Sequence, residues 1–75
     1  MRITYDREAD AAYIYLTDAR LAPGRDTIDV EVPDDATCEV FLDWKDGRLV
    51  GIEILDARDA IHQDLLDQAE DIADG

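Results

Sequence analysis

Two side chains of this sequence, His62 and Cys38, belong to types that often perform acid–base or nucleophilic chemistry. A catalytic histidine needs a positioned partner and a pocket, and His62 has Asp59 and Asp64 as sequence neighbours but no nucleophile. A catalytic cysteine needs a nearby base and a lowered pKa. Cys38 instead alternates with Val40 in a strand-like segment, which is typical of a small core residue. We therefore expect no catalytic residue, with His62 on the surface and Cys38 in the core.

Carboxylates are the other chemically capable groups, and they are abundant. Asp6, Glu8 and Asp10 offer the oxygen ligands that calcium and magnesium prefer. Their spacing differs from that of a calcium-binding loop, and the glycine of such a loop is missing. Gly47 and Gly51 belong to a turn and a strand, so no glycine-rich loop is present to bind a phosphate. The sequence therefore predicts neither a metal site nor a cofactor site.

The charge balance limits the partners that the protein can have. The 75 residues include 20 acidic and 7 basic side chains, for a net charge of −13. This charge argues against binding to nucleic acid or to an anionic membrane. Two interpretations stay open: the surface binds a small basic protein, or it is adapted to high intracellular salt, where dense carboxylates keep a protein hydrated. The even spread of the acids along the chain favours salt adaptation.

Length and composition predict a single domain over residues 1–75. A hydrophobic content of 47% is enough for a core, although so short a chain is marginally stable alone and often gains stability by oligomerising. The single cysteine excludes an intramolecular disulfide and a cysteine-based zinc site. Because we find neither the apolar segment of a signal peptide nor a run long enough to span a membrane, we expect a cytoplasmic location.

Alternating apolar residues predict a sheet within residues 2–55. The expected strands are 2–6, 11–17, 26–32, 38–44 and 49–55. The strongest local signal is Asp46-Gly47, because a type I′ hairpin turn needs two residues that tolerate positive φ. A helix over residues 8–16 is the alternative to the second strand, since Glu-Ala-Asp-Ala-Ala favours a helix, but the following Tyr-Ile-Tyr-Leu-Thr favours a strand.

The C-terminal segment has helical spacing, from about residue 57 to residue 73. Asp56 is the expected N-cap, and Asp59 complements the helix dipole. The apolar stripe of this helix consists of Ile61, Leu65, Ala69, Ile72 and Ala73. A helix packed on one face of an antiparallel sheet buries both apolar surfaces.

One helix covers only one face of a five-stranded sheet, so we expect the other face to be a contact surface. The face assigned to the helix carries Ile14, Leu16, Ile28, Val30, Val40, Leu42, Ile52 and Ile54. The opposite face carries Tyr13, Tyr15, Phe41 and Leu49. An exposed patch with several large apolar side chains usually marks an interaction site. We therefore expect a twofold homodimer that forms through these four residues.

Two stretches together resemble the small prokaryotic family known as domain of unknown function 2283. The first is RITYDREADAAYIYLTD, with its Tyr-Asp, acidic-Ala-Asp and Tyr-Ile pattern, and the second is FLDWKDGRLVGIEILDA. This resemblance implies a compact β-rich domain without an established activity. The family is also associated with antitoxin-like partners of small toxins. It implies no catalytic or binding residues for this chain.

The expected fold is α+β, with an antiparallel sheet of four to five strands and one C-terminal α-helix on one face. The expected function is that of a non-enzymatic protein-interaction module, an acidic antitoxin-like partner of a small basic protein. The alternative is a self-associating structural or small-ligand-binding domain whose acidic surface reflects a salty cytoplasm. We expect a homodimer, with no cofactor and with no nucleic-acid or membrane partner.

Overall fold

A computed structural model describes residues 1–21 and 23–72 of the chain. Its strands are β1 Arg2–Asp6, β2 Ala11–Tyr15, β3 Asp26–Val30, β4 Glu39–Lys45, β5 Arg48–Leu55 and β6 Glu70–Asp71. Its helices are α1 Ala57–Ala60 and α2 Gln63–Gln68. The strands form one mixed sheet in the order β3-β4-β5-β2-β1-β6. Strands β1 to β5 pair antiparallel, and β6 runs parallel to β1.

Local turn chemistry explains the two tight connections in the sheet. Asp46 and Gly47 both have positive φ, at 52° and 77°, which confirms the predicted type I′ turn between β4 and β5. Between β1 and β2, the Asp6 carboxylate accepts hydrogen bonds from the backbone N–H groups of Glu8 and Ala9. Asp6 is therefore a turn residue, as is typical of an aspartate that bonds to the backbone two residues on.

The predicted fold class needs correction at the C-terminus of the chain. The sheet has six strands rather than four or five, and the single helix over 57–73 is replaced by two short helices and β6. The backbone leaves the helical region at Ile61, where φ is −112° and ψ is 135°, and again at Ala69. Residues 70–71 then pair with the otherwise open edge of β1. The end of the predicted helix, Ala73, lies outside the described residues.

The N-cap prediction also needs correction. Asp56 precedes α1 but has a left-handed backbone, with φ 59°, and its side chain makes no capping hydrogen bond. Asp10, from the turn between β1 and β2, takes this role. Its carboxylate accepts the Arg58 N–H at 2.8 Å, and its backbone carbonyl accepts the Ala57 N–H at 3.0 Å. The first turn of α1 is thus capped by a residue distant in sequence.

The strand register separates the side chains of β1–β5 into two faces, because side chains alternate along a strand. The apolar face includes Ile3, Tyr5, Ala12, Ile14, Ile28, Val30, Val40, Leu42, Ile52 and Ile54, with Asp26 at its margin on β3. The polar face consists of Arg2, Thr4, Tyr13, Tyr15, Thr27, Asp29, Phe41, Asp43, Gly51 and Glu53.

The buried core of the described chain is small. Its buried apolar residues are Ala12, Ala57 and Leu66, and the largest fully buried side chain is that of Thr4. The single long helix that was expected to cover the apolar face is replaced by two short helices, and parts of this face stay exposed. Leu16 and Ile28, which that helix should have covered, are 40% and 53% exposed. No helix among the described residues is long and apolar enough to cross a membrane.

Candidate functional site

The polar face contains a nearly buried carboxylate, that of Asp43 in β4, which is 5% exposed. Its Oδ2 accepts a hydrogen bond from the Tyr13 hydroxyl at 2.6 Å, and its Oδ1 accepts one from the Thr27 hydroxyl at 2.6 Å. The Arg25 guanidinium lies 3.4 Å from Oδ2. We call these four residues the Asp43 cluster. Each oxygen of the carboxylate has a partner, as a buried charge requires.

The absence of a side chain at Gly51 allows Tyr13 to reach Asp43. Tyr13 is in β2 and Asp43 is in β4, so the tyrosine side chain must cross the intervening strand β5. Gly51 lies on β5 in register with Asp43, and a Cβ atom placed there would overlap the Tyr13 ring and its hydroxyl oxygen. A glycine inside a strand often marks a place where another group approaches the backbone closely.

The electrostatics of the cluster favour a structural role over proton transfer. Burial, followed by the hydrogen bond to the Asp43 carboxylate, raises the pKa of Tyr13 far above its ordinary value. Burial alone would raise the pKa of Asp43, but hydrogen bonds from Thr27 and Tyr13 and the charge of Arg25 lower it overall. The pKa of Tyr13 is therefore shifted upward and the pKa of Asp43 downward, both away from neutral pH. A general acid or base works best with a pKa near the operating pH.

An open cavity of about 820 Å³ lies over the cluster. Arg2, Tyr15, Arg20 and Glu53 line it together with the cluster residues. Its size falls within the range of small-molecule sites, but several of its groups already interact with one another. Arg2 forms an ion pair with Glu70 and lies 4.8 Å from the centre of the Tyr15 ring. The cavity is thus a polar frame around Asp43 in which Arg2 and Arg25 already have acidic partners.

The apolar face is a second candidate site, and its chemistry is different. One row of the sheet places Ile3, Ile14, Ile52, Leu42 and Ile28 side by side on five neighbouring strands. At about 4.8 Å per strand, such a row is about 19 Å wide. The next row consists of Tyr5, Ala12, Ile54, Val40 and Val30. Neither row contains a charged side chain, and only Ala12 is buried.

The four residues predicted to form a contact surface are only partly brought together. Tyr13 and Tyr15 have ring centres 4.7 Å apart, and Phe41 shares their face. A register shift between Asp43 and Trp44 places Leu49 opposite Trp44, outside the rows of the other three. The hydroxyl of Tyr13 is bonded to Asp43 and the Tyr15 ring lies under Arg2. Whether these four residues contact a partner stays a prediction.

The structure also places the residues that were considered for chemistry. His62 is exposed, and Cys38 is half-buried rather than in the core. Asp6 stabilises the turn between β1 and β2, and Asp10 caps the start of α1. Glu8 is exposed. Among the described residues, no group of three or more His, Cys, Asp or Glu side chains is placed to hold a metal ion.

Sequence reasoning did not identify the Asp43 cluster. Alternation places Asp43 on the face of its strand that carries Phe41, and nothing nearby in sequence indicates that Tyr13 would reach it. One signal was available. Gly51 interrupts a run of β-branched residues in the middle of a strand, which predicts the close approach of another group. The identity of that group depends on the order of strands in the sheet.

Comparisons with known proteins identify a family but no function. A family model described as "Protein of unknown function (DUF2283)" matches residues 2–58. The matched segment includes β1 to β5, with both faces of the sheet, and the start of α1. No curated protein and no solved structure matches the chain.

Proposed function

The chain belongs to the DUF2283 family of proteins of unknown function, and we propose that it is a non-enzymatic protein-interaction module. Its contact surface is the apolar face. The observation that carries this proposal is that two neighbouring apolar rows cross five strands and, except at Ala12, stay partly exposed, with Ile28 53% exposed. A contiguous apolar patch that remains accessible to solvent usually marks an interaction site.

The small core of the single chain supports this proposal. A domain normally buries its largest apolar residues first, yet here the largest fully buried side chain is a threonine. Isoleucine and leucine side chains contribute about 1.5–3 kcal/mol each when they are fully buried. Part of that free energy is unused on the apolar face, most clearly at Ile28, which is 53% exposed, and this part is available for binding a partner.

A small basic protein is a second candidate partner, and a different surface favours it. Strand β3 lies at one edge of the sheet, and among the described residues no strand pairs with its outer backbone groups. Asp26 and Asp29 on this strand are exposed. An acidic strand edge suits a basic segment that adds to the sheet, and the net charge of −13 would steer such a partner towards it.

Photo-crosslinking tests which surface is used. A benzophenone amino acid is introduced at Ile28 or at Asp29 in the full chain, and the protein is illuminated in cells of its own organism. These neighbouring residues on β3 belong to opposite faces, so they form a matched pair. We expect a discrete protein adduct from position 28 and none from position 29. Adducts from neither position would contradict an interaction module, and an adduct from position 29 alone would move the contact away from the apolar face.

A further inference from the structure

We infer that the occupant of the apolar face is a second copy of this chain, so that two sheets stack face to face about a twofold axis. This inference rests on the proposed function, because it names the partner of that same surface. Three properties of the described chain support it: the surface area, the distribution of charge and the arrangement of the apolar rows.

The surface area of the single chain is larger than expected for its mass. The accessible surface is 5399 Å², whereas a folded monomer of 8.4 kDa exposes about 4,600 Å². The excess is about 800 Å², which equals the area that each partner contributes to a standard-size protein interface. Burial of an interface of about that area would bring the exposed area per chain to the value of an ordinary globular protein, and the accessible parts of the apolar face would contribute to it.

The charge distribution favours a second copy over a basic protein on this face. Each chain carries a net charge of −13, so a dimer is stable only if its interface avoids acidic residues. The two apolar rows contain none, and the acids next to them lie at the margins, including Asp10, whose carboxylate accepts a hydrogen bond from the Tyr5 hydroxyl. Asp26 is in register with Trp44 at one side, and Asp71 is in register with Tyr5 at the other, where it is ion-paired with Arg7. The centre of this face therefore has no carboxylate that could form an ion pair with a basic partner.

The geometry of the face suits a symmetric partner. A twofold interface is self-complementary, because the same patch serves both subunits. Ile14 and Ile52 lie on the paired strands β2 and β5, with two further strands on each side. Two such sheets pack about 10 Å apart, and their inner side chains then interdigitate into one core. The half-buried isoleucines of each copy would become the interior of a β-sandwich.

Light scattering coupled to size exclusion tests the oligomeric state of the purified full chain, at micromolar concentration in low and in molar potassium chloride. We expect twice the mass of one chain, with tighter association at high salt because salt screens the repulsion between acidic surfaces. Ile28→Glu places a charge on the apolar face at a position that is 53% exposed in the single chain. We expect this variant to weaken association by about tenfold or more, since the new charge would be desolvated in the interface.

Thr37→Glu is the matched control, because it adds the same charge at an exposed loop position outside the sheet. We expect it to remain a dimer, and circular dichroism should show the same fold for all three proteins. A wild-type monomer at both salt concentrations would overturn the inference. If photo-crosslinking in cells still gave an adduct with a different protein, the proposed interaction module would be supported. Only the inference that its partner is a second copy would then be wrong.

Thiol accessibility then locates the interface. In a Cys38→Ser background, Ile28→Cys should react at least several-fold more slowly with a thiol reagent at high protein concentration than at high dilution. Asp29→Cys, on the opposite face of the same strand, should react at the same rate at both concentrations. A dimer in which position 29 is protected and position 28 is not would overturn the assignment of the face.

Discussion

The polar face of the sheet buries a carboxylate almost completely, whereas the apolar face leaves large hydrocarbon side chains partly exposed. Asp43 is 5% exposed and has three partners, while Ile28, on the other side of the same sheet, is 53% exposed. For these two residues the arrangement is the reverse of what a solitary globular domain usually shows. The difference is in line with the proposal that association uses the apolar face, while hydrogen bonds on the polar face connect three strands of the single chain.

The two faces should respond differently to substitution. Removing one member of a satisfied buried polar network leaves its partners without hydrogen bonds and lowers the stability of the single chain. Replacing a partly exposed apolar residue removes little packing within the chain but changes what the surface can bind. The following substitutions test this contrast, beginning with the largest expected effect.

Gly51→Ala should be the most destabilising of these changes. The new Cβ would overlap the Tyr13 ring, so the tyrosine must move and its hydrogen bond to Asp43 must break. Steric overpacking and an unsatisfied buried group together should lower the free energy of unfolding by about 3 kcal/mol or more. Urea denaturation followed by circular dichroism measures the loss.

A double-mutant cycle with Tyr13→Ala identifies the cause of this effect. If the clash with Tyr13 is responsible, Gly51→Ala should cost much less in a Tyr13→Ala background than in the wild type. Additive effects of the two substitutions would show that the glycine is required for the β5 backbone itself. In that case Gly51 would not be explained by the Asp43 cluster.

Asp43→Asn should lower the free energy of unfolding by about 1–3 kcal/mol near neutral pH, since the amide cannot accept from all three partners. The pKa of Asp43 is lowered in the folded chain, so its stabilisation is present above the unfolded-state pKa of about 3.9 and is lost as the pH falls through the folded value. The difference in stability between wild type and variant should therefore shrink in acid. A difference that is constant down to about pH 2 would contradict the charged hydrogen bonds.

The strands of this fold were predictable from sequence because each carries its own local signal. Alternation of apolar residues and the Asp46-Gly47 turn predicted β1, β2, β3, β4 and β5 to within two residues at each end. What could not be predicted was the C-terminal segment. The spacing of Ile61, Leu65 and Ile72 is helical, but Ile61 and Ala69 are extended in the structure. The pairing of residues 70–71 with β1 is a tertiary contact that no local pattern reports.

The candidate sites were predictable to different degrees for the same reason. The composition of the apolar face followed from alternation, since strand residues two apart share a face. The exposure of this face did not follow from alternation. It depends on how the C-terminal segment folds, and that segment forms two short helices and a strand rather than one long helix. The Asp43 cluster joins Thr27, Tyr13 and Asp43 from three strands that are distant in sequence. Only the strand order β3-β4-β5-β2 brings them together.

Asp10→Ala tests the connection between the sheet and the tail. The Asp10 carboxylate accepts hydrogen bonds from the Tyr5 hydroxyl and from the Arg58 N–H, both at 2.8 Å. Loss of a helix-capping side chain typically costs about 1 kcal/mol. Asp10 lies in the turn between β1 and β2, outside the two apolar rows. This variant should therefore lower stability without changing the charge at the centre of the apolar face. Asp56→Ala is the control, since Asp56 makes no side-chain cap and should have a smaller effect.

Two adjacent residues of β3 give the smallest effects and the most direct comparison of the faces. Thr27→Val removes a hydroxyl that donates to Asp43 at 2.6 Å, and it should cost about 1 kcal/mol at any protein concentration. Ile28→Thr keeps a β-branched side chain at a position that is 53% exposed, so at high dilution its cost should stay within about 0.5 kcal/mol.

The two variants should differ in how their melting temperatures depend on protein concentration. A dimer that unfolds to single chains melts at a higher temperature when it is more concentrated, because mass action favours the associated state. Thr27→Val should keep this dependence, since in the proposed dimer the polar face does not contact the second copy. Ile28→Thr should weaken it, because its hydroxyl would be desolvated against the partner sheet. If instead Thr27→Val lost the concentration dependence and Ile28→Thr kept it, the faces would have exchanged roles, and the tyrosine face would be the interface.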